Sequence, residues 1–298
     1  MQLITHADAD TFLTAARTEL ESAEAFNGLI LGIATRLTRL RRNGEADTHG
    51  ETEFPPQLFT VEREGVLRLA ALRTPPRRVI VHGAPNWGEA VPPLVDHLAA
   101  VAPDLPGVVG PQPVAAALAE SWRARCGGAV EAGMAMGVYE LRRVLDDGDA
   151  PGVLRVAAPG DAERVTDWVC AFNEAVDEPM PEGRQGVHRE VGQLIDAGQV
   201  YLWEDDGRPM SLARWGRPTA HGVCITSVYT PPACRRRGYA TRCVAALSRH
   251  LLGEGFAFCT LFTDLANPTS NHIYQQIGYR RLGEFAEFDF VPQPESAT

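Results

Sequence analysis

Apolar residues in the C-terminal half of the chain alternate between strand-like runs and helical periodicity. An apolar, β-branched run over 223–229 predicts a strand. Pro231 and Pro232 end it, because proline cannot donate to a strand ladder. A helix follows, with apolar residues at helical spacing at Ala240, Val244, Leu247 and Leu251. A second strand over 256–263 completes a strand, helix, strand order, which is typical of an α/β domain.

The turn between the first strand and the helix is basic and contains a glycine. Its residues are Arg235, Arg236, Arg237 and Gly238. Glycine allows a positive φ, and the first N–H groups of a helix have no partner within it. Those N–H groups and the helix dipole favour an anion, and guanidinium groups suit phosphate oxygens. The sequence therefore predicts a phosphate-binding turn.

A short helix is predicted after the second strand. Asn267 suits the N-cap, Pro268 the first helical position and Gly278 the position just past the end. Helical spacing places Ser270, Asn271 and Tyr274 on one side, and Ile273 and Ile277 on the opposite, core-facing side.

The N-terminal half has a similar order of elements. The pattern predicts a helix over 9–42, a hairpin of 57–62 and 67–72 about Glu64-Gly65, a strand over 78–82, a helix over 89–101, a helix from Pro113 to about 125, and a strand over 136–144. The run 107–111 is interpreted as a loop, which could shape an acceptor pocket. The half is interpreted as a degenerate copy of the C-terminal fold that lacks the phosphate turn, with an unrelated α+β domain as the alternative.

Charge, glycine and proline over 146–152 mark a connection between the two halves. Two domains are therefore predicted, over residues 1–150 and 151–298.

Composition indicates a globular protein with a cytoplasmic location. Apolar residues make up 45% of the chain and charged residues 22%, and no run of about 18 apolar residues occurs. The six cysteines form no C-x-x-C pair, so free thiols are expected. The formal net charge of −10 argues against nucleic-acid binding. No histidines have the His-Glu-x-x-His spacing of a metal site, so no metal is expected.

Two features together resemble the GNAT superfamily of N-acetyltransferases. Arg235-x-x-Gly238-x-Ala240 follows one strand, and Asn267 and Tyr274 follow the next. The resemblance covers roughly residues 153–291 and extends to a bacterial two-domain subgroup. It implies an α/β fold with a mixed, mostly antiparallel central sheet flanked by helices. For the whole chain it implies a tandem of two GNAT-like domains, of which the N-terminal one is degenerate.

The resemblance also implies acetyl-CoA as cosubstrate and an amine of a small molecule, amino acid or peptide as acceptor. The amine would attack the thioester directly, and Tyr274 would protonate the departing thiolate. Pyrophosphate would bind the amides of 236–241, and pantetheine would lie along the strand before them. The implied cofactor-binding residues are Ser227, Val228, Tyr229, Thr230, Arg235, Arg236, Arg237, Gly238, Tyr239, Ala240, Thr241, Asn267 and Asn271.

The sequence leaves the general base and the acceptor open. Candidates for the base are Glu190, His188, His221 and Glu178, and ordered water is a further alternative. A non-catalytic, CoA-binding regulatory protein is the second functional hypothesis. A P-loop hydrolase is disfavoured, because the turn lacks Gly-Lys-Ser/Thr and the chain has no lysine. Also open are the use of other acyl groups, the role of the N-terminal domain, and the oligomeric state, for which a homodimer is one option.

Overall fold

The computed structural model describes residues 1–44, 55–145, 151–176, 179–180 and 182–292. The chain divides into two compact units. Unit 1 comprises Met1–Val138, Thr263–Ala266 and Leu282–Thr298, and unit 2 comprises Tyr139–Phe262 and Asn267–Arg281. Residues 146–150 of the predicted connection over 146–152 lie outside the described residues, and the boundary near residue 150 stays a prediction.

The same order of elements occurs twice along the chain: a strand, two helices, three strands, a helix, a strand, a helix and a strand. The first series is β1 (Gln2–Thr5), α1 (Ala9–Glu21), α2 (Gly28–Asn43), β2 (Gln57–Arg63), β3 (Val66–Arg73), β4 (Val79–Gly83), α3 (Val91–Val101), β5 (Gly107–Pro111), α4 (Gln112–Cys126) and β6 (Ala129–Leu141). The second is β7 (Val153–Val156), α5 (Ala162–Ala175), α6 (Gly183–Asp196), β8 (Val200–Asp205), β9 (Arg208–Gly216), β10 (Gly222–Tyr229), α7 (Tyr239–Gly253), β11 (Phe258–Asp264), α8 (Pro268–Ile277) and β12 (Arg280–Val291).

The sheet of unit 1 is completed by the C-terminal part of the chain. Strands β1 to β4 pair antiparallel in sequence order, and β5 pairs parallel with β4. Residues 285–289 of β12 then pair antiparallel with 107–111 of β5. The expectation of a loop at 107–111 is therefore wrong. These residues form a largely buried strand with a neighbour on each side.

The predicted helix over 9–42 is two helices, α1 and α2. The chain turns at residues 22–27 because Asn27 is held by contacts distant in sequence. Its side-chain Nδ2 donates to the carbonyl of Leu20 at 2.9 Å, and its Oδ1 lies 2.9 Å from Nδ1 of His82. Asn27 is only 1% exposed, so these bonds fix the start of α2 inside unit 1.

In unit 1, the segment between β4 and α3 has the same place in the order of elements as the basic turn, and an aromatic side chain occupies it. Strand β4 ends at Gly83, and a 3-10 turn over Trp87–Ala90 leads into α3. A Cβ atom at Gly83 would lie 2.7 Å from the ring of Trp87, so the indole packs directly on the strand end. Residues 84–90 contain no arginine. This agrees with the interpretation of a copy without a phosphate turn.

In unit 2, strands β7 to β10 pair antiparallel in sequence order, and β11 pairs parallel with β10. Helix α7 packs on β8, β9 and β10, while α5 packs on α6 and on β10. Most of the apolar stripe predicted for α7 is buried: Val244 and Leu247 are 0% exposed and Leu251 is 2% exposed, whereas Ala240 is half-buried. This packing fixes the start of α7 beside the end of β10.

Candidate active site

Strand β10 departs from regular pairing just before the basic turn. Its register with β9 shifts between Thr226 and Tyr229, and Ser227 has a φ of 48°. A positive φ at a residue other than glycine is uncommon and costs free energy, so packing must hold this bulge. On its other side, β10 pairs with β11 only over 222–224 among the described residues. The last part of β10 therefore has backbone groups available for a ligand.

The turn itself exposes a row of backbone amides. A 3-10 turn over Pro232–Cys234 follows β10, and Nε of Arg235 donates to the carbonyl of Thr230 at 3.0 Å. Arg236 and Gly238 then have φ values of 62° and 77°. Gly238 is the N-cap of α7 and has no capping side chain. Among the described residues, no acceptor is found for the amides of 236–241. Such a row of N–H groups at a helix start suits an anion.

Hydrogen bonds from β8 and β9 hold both ends of the turn. The hydroxyl of Tyr239 donates to Oδ2 of Asp205 at 2.7 Å, and this bond raises the pKa of Tyr239. The Oγ atom of Ser211 lies 2.8 Å from Oγ1 of Thr230 and donates to the carbonyl of Tyr229. Ser211 is fully buried, so these hydrogen bonds hold the end of β10 from within the core of unit 2.

The predicted cofactor residues are all in unit 2, and several are close to one another. The three arginines and Gly238 are exposed, whereas Ser227, Tyr239 and Thr241 are buried. Their roles toward a cofactor stay predictions. Residues 227–241 of this set lie at the end of β10 and the start of α7, whereas Asn267 and Asn271 lie at the start of α8.

Helix α8 has the predicted ends. Oδ1 of Asn267 accepts from the amide of Ser270 at 3.1 Å, which confirms the N-cap, and Gly278 ends the helix with a φ of 115°. The side chain of Asn271 is engaged within the unit. Its Nδ2 donates to the carbonyl of Asn267 at 2.7 Å, and its Oδ1 accepts from the hydroxyl of Tyr139 at 2.8 Å. A cofactor that contacts the Asn271 side chain must therefore share or replace one of these two hydrogen bonds.

Tyr274 lies in the core, and its predicted orientation away from the core side is wrong. It is 8% exposed and shares an apolar cluster with Ile277, which is three residues further along the helix and therefore on the same face. Its ring meets that of Tyr279 edge to face at 6.0 Å. Burial, followed by the proximity of Cys224, raises the pKa of Tyr274 to about 12. The hydroxyl is therefore a proton donor throughout the neutral and mildly alkaline range.

The candidates for the general base are partly engaged by other groups. Oε1 of Glu190 is 3.0 Å from Nη1 of Arg214, and Nδ1 of His188 is 3.0 Å from Oγ1 of Thr166. His221 is exposed beside the start of β10. Glu178 lies outside the described residues. The geometry selects none of the four.

Two features of unit 2 were not found from the sequence. One is the bond between Tyr139 and Asn271, which joins positions 132 residues apart. The other is a cavity of about 430 Å³ beside the turn, lined by Arg164, Arg237 and the segment 207–210, together with Cys234. The Asp206-Gly207 pair predicts a hairpin, but no local pattern indicates that the hairpin lies near α5.

Among the described residues, no group of three or more His, Cys, Asp or Glu side chains could hold a metal ion. None of the described helices is long and apolar enough to cross a membrane.

Comparisons with known proteins show what the region around this site is similar to. Residues 163–279 match the model of the Acetyltransferase (GNAT) family. No curated protein matches the chain. Among solved structures, a protein from Drosophila is 15% identical with a TM-score of 0.66, over 98% of this chain and 99% of its own. A GNAT acetyltransferase from Colwellia psychrerythraea is 13% identical with a TM-score of 0.58, over 97% and 100%.

A third similar structure has a tandem architecture. It is a tandem GNAT protein from the clavulanic acid biosynthesis pathway, 11% identical with a TM-score of 0.53, over 99% of this chain and 100% of its own. At such identities the likeness concerns the fold alone. Together with the repeated order of elements, it confirms the predicted α/β class, the mostly antiparallel sheet flanked by helices and the tandem of two GNAT-like domains.

Proposed function

Since residues 163–279 carry the match to the GNAT acetyltransferase family, we propose that the chain is an N-acetyltransferase. It transfers an acetyl group from acetyl-CoA to an amine of a small molecule, amino acid or peptide. The observation that carries the proposal is the row of amides at 236–241, which have no acceptor among the described residues. They lie at the start of α7, where the helix dipole also favours the pyrophosphate of CoA.

The irregular pairing of strand β10 supports the second part of the proposal, that the pantetheine arm of CoA binds along this strand. Ser227 and Val228 lie in the register shift of the described pairing with β9, and the described pairing with β11 ends at Cys224, so this part of β10 can offer backbone groups to a ligand. An extended arm that binds along this strand places its thioester toward the interior of unit 2. Tyr274 lies buried in that interior.

The proposed reaction has one acyl-transfer step without a covalent enzyme intermediate. The amine nitrogen attacks the thioester carbonyl, a C–N bond forms and the C–S bond breaks. The Tyr274 hydroxyl gives its proton to the leaving thiolate and regains one from solvent. The ammonium proton of the acceptor passes to a base before attack, for which the candidates of the sequence analysis remain, and a second N–H proton passes to solvent as the C–S bond breaks.

One observation favours the second hypothesis, a CoA-binding regulatory protein without turnover. Glu190 accepts a hydrogen bond from Arg214 at 3.0 Å, so one of its carboxylate oxygens is already engaged. Release of CoA from acetyl-CoA in the presence of a panel of amines separates the two hypotheses. Binding without release across the panel would favour the regulatory protein.

The substitution Gly238→Asp tests the binding site directly. The change places a side chain at a φ of 77° and a negative charge among the open amides. We expect calorimetry to find acetyl-CoA affinity reduced at least about 100-fold, which corresponds to about 2.8 kcal/mol.

The matched control is Gly253→Asp, at the other end of α7, where an added Cβ meets nothing within 4 Å. It should bind acetyl-CoA as the wild type does. Equal affinity of Gly238→Asp and wild type would refute the proposed site.

A further inference from the structure

We propose that the acceptor amine carries a carboxylate, as an amino acid does, and that Arg217 binds this carboxylate, an assignment that rests on the proposed function. Arg217 lies in the turn between β9 and β10. Its side chain lies on the face of the unit 2 sheet opposite α7, where two charged side chains and an aromatic ring surround the middle of β10.

The side chains on this face form a row across neighbouring strands. Ile225 packs in the same apolar cluster as the buried side of α7. Cys224 and Thr226 alternate with it along β10 and therefore project to the opposite face. Arg214 of β9 pairs with Thr226, so the two side chains are neighbours on that face. Thr226 directly precedes the bulge at Ser227, beside which the pantetheine arm is proposed to end.

Arg217 reaches the place where β10 and β11 stop pairing. Its Nη2 donates to Sγ of Cys224 on β10 at 3.0 Å, and its guanidinium carbon lies 5.8 Å from the ring centre of Phe262 on β11. The described pairing of the two strands ends at Cys224. One cation therefore contacts both strands at the opening between them, next to the proposed position of the thioester.

The positive charge of Arg217 is not neutralised within the described part of the chain. Arg217 is half-buried, and its contacts among the described residues are the Cys224 thiol and the Phe262 ring. A thiol is a weak acceptor, so most of the guanidinium donors stay open. Such a planar group favours a bidentate carboxylate. The pantetheine arm carries no charge, so in the proposed reaction the acceptor is the reactant that supplies this anion.

Glu190 on the same face suits the ammonium end of such an acceptor. Its Oε1 accepts from Nη1 of Arg214 at 3.0 Å, whereas its Oε2 has no partner among the described residues. Arg217 contacts Cys224 and Arg214 lies beside Thr226, and residues two apart on a strand are separated by about 7 Å. A carboxylate site and an ammonium site therefore lie within the span of one amino acid.

The turn that carries Arg217 is held by the fold. The amide of Thr219 donates to the carbonyl of Gly222 at 2.9 Å, and the amide of Gly222 donates to Oγ1 of Thr219 at 3.2 Å. Arg217 itself has a φ of 49°, which is uncommon for a residue other than glycine and costs free energy. These bonds place the guanidinium before a ligand binds.

Matched pairs of acceptors test the assignment. The full chain is assayed for CoA release from acetyl-CoA with each standard amino acid and with its carboxamide, which keeps the amine and lacks the carboxylate. For the amino acids that are acetylated, we expect wild-type kcat/KM to be at least about tenfold above that of the amide. In Arg217→Gln this preference should vanish through a higher KM for the acid. The kcat/KM of the amide and the affinity for acetyl-CoA should not change.

Two further variants support the comparison. If Arg217→Gln does not fold, Arg217→Lys replaces it: loss of the bidentate geometry should lower the preference for the acid at least about threefold, with the amide unchanged. Arg249→Gln, at an exposed position on α7, is the control for the loss of one positive charge. It should retain the full preference.

The other outcomes overturn or support the assignment separately from the proposed function. Equal kcat/KM for acids and amides in wild type, or the same preference in wild type and Arg217→Gln, overturns the carboxylate site and leaves the acyltransferase proposal standing. If neither acids nor amides are acetylated, calorimetry of the amino acids with the chain, with and without CoA, decides. Binding that is lost in Arg217→Gln supports the Arg217 site without the proposed turnover, and absence of binding overturns it.

Discussion

At the scale of single residues, the buried hydroxyl of Tyr274 is held in the protonated form that a general acid needs. Burial raises its pKa to about 12, because a tyrosinate would lose its hydration inside the core of unit 2. The same environment that disfavours the anion makes reprotonation favourable after each proton transfer. A tyrosine in this setting keeps its proton at neutral pH and does not accumulate as the charged form, and its raised pKa makes it a weaker acid than an ordinary tyrosine.

Removing this hydroxyl tests the assignment. In Tyr274→Phe we expect kcat to fall by roughly 100-fold, the lower range for loss of a general acid, with the affinity for acetyl-CoA unchanged. The matched control is Tyr279→Phe, whose hydroxyl lies 2.9 Å from Oγ of Ser248 inside the same core. That variant should lose stability and keep its kcat. Equal kcat in Tyr274→Phe and wild type would mean that another group protonates the thiolate.

The raised pKa also predicts the alkaline limb of the pH profile. With a pKa of about 12, Tyr274 is about 99% protonated at pH 10, whereas an ordinary tyrosine is about half protonated there. We therefore expect kcat to stay level from pH 8 to pH 10 under saturating acceptor. A decline with an apparent pKa near 10 that disappears in Tyr274→Phe would contradict the buried state of the hydroxyl.

Single residues were predicted well where their role is local. The cap at Asn267 and the left-handed Gly278 depend on chain neighbours, so the sequence revealed both. The orientation of Tyr274 and the partner of Asn271 depend on how α8 packs, and Tyr139 is 132 positions away. No local pattern contains that information.

At the scale of elements, the start of α8 contributes stability that can be measured. Asn267→Ala removes the bond to the Ser270 amide and should cost about 1 kcal/mol of unfolding free energy in unit 2. Asn267→Ser keeps a capping oxygen and should lose much less. Denaturant unfolding of the three proteins gives the comparison. Wild-type stability in the alanine variant would show that the cap is energetically unimportant.

Elements were predicted correctly where periodicity is clear and wrongly where tertiary contacts intervene. Most of the apolar stripe of α7 is buried as expected, and the strands on either side follow the pattern. The break between α1 and α2 was missed because it depends on Asn27 meeting His82 from a distant strand. The run 107–111 was missed as a strand because its glycines and proline resemble a loop.

At the scale of the whole molecule, the chain repeats one order of elements. The two compact units, however, do not coincide with the two repeats along the sequence. Unit 1 takes residues 282–298 from the far end of the chain, and its last described strand pair joins β5 to β12. The repeat could be read from the sequence, since the patterns of the two halves agree. The return of β12 to unit 1 could not, because strand pairing leaves no trace in periodicity.

The pairing of β5 with β12 provides a sharp test in unit 1. A Cβ atom at Gly107 would lie 2.1 Å from the carbonyl oxygen of Phe288, a distance that no side chain tolerates. We expect Gly107→Ala to destabilise unit 1 by about 2 kcal/mol or more and to speed amide hydrogen exchange over 285–289.

Gly88→Ala is the control, because an added Cβ there meets nothing within 4 Å. It should leave exchange at 285–289 unchanged. Unaltered exchange in Gly107→Ala as well would mean that the strand pair is not formed in solution.

The pairing of β12 with β5 also has a consequence for folding during synthesis on the ribosome. When β5 has left the exit tunnel, its partner strand has not yet been translated, so a hydrogen-bonding edge of the nascent sheet stays open during most of synthesis. Such an edge can pair with other nascent chains, and this protein should therefore depend on chaperones until β12 has been synthesised.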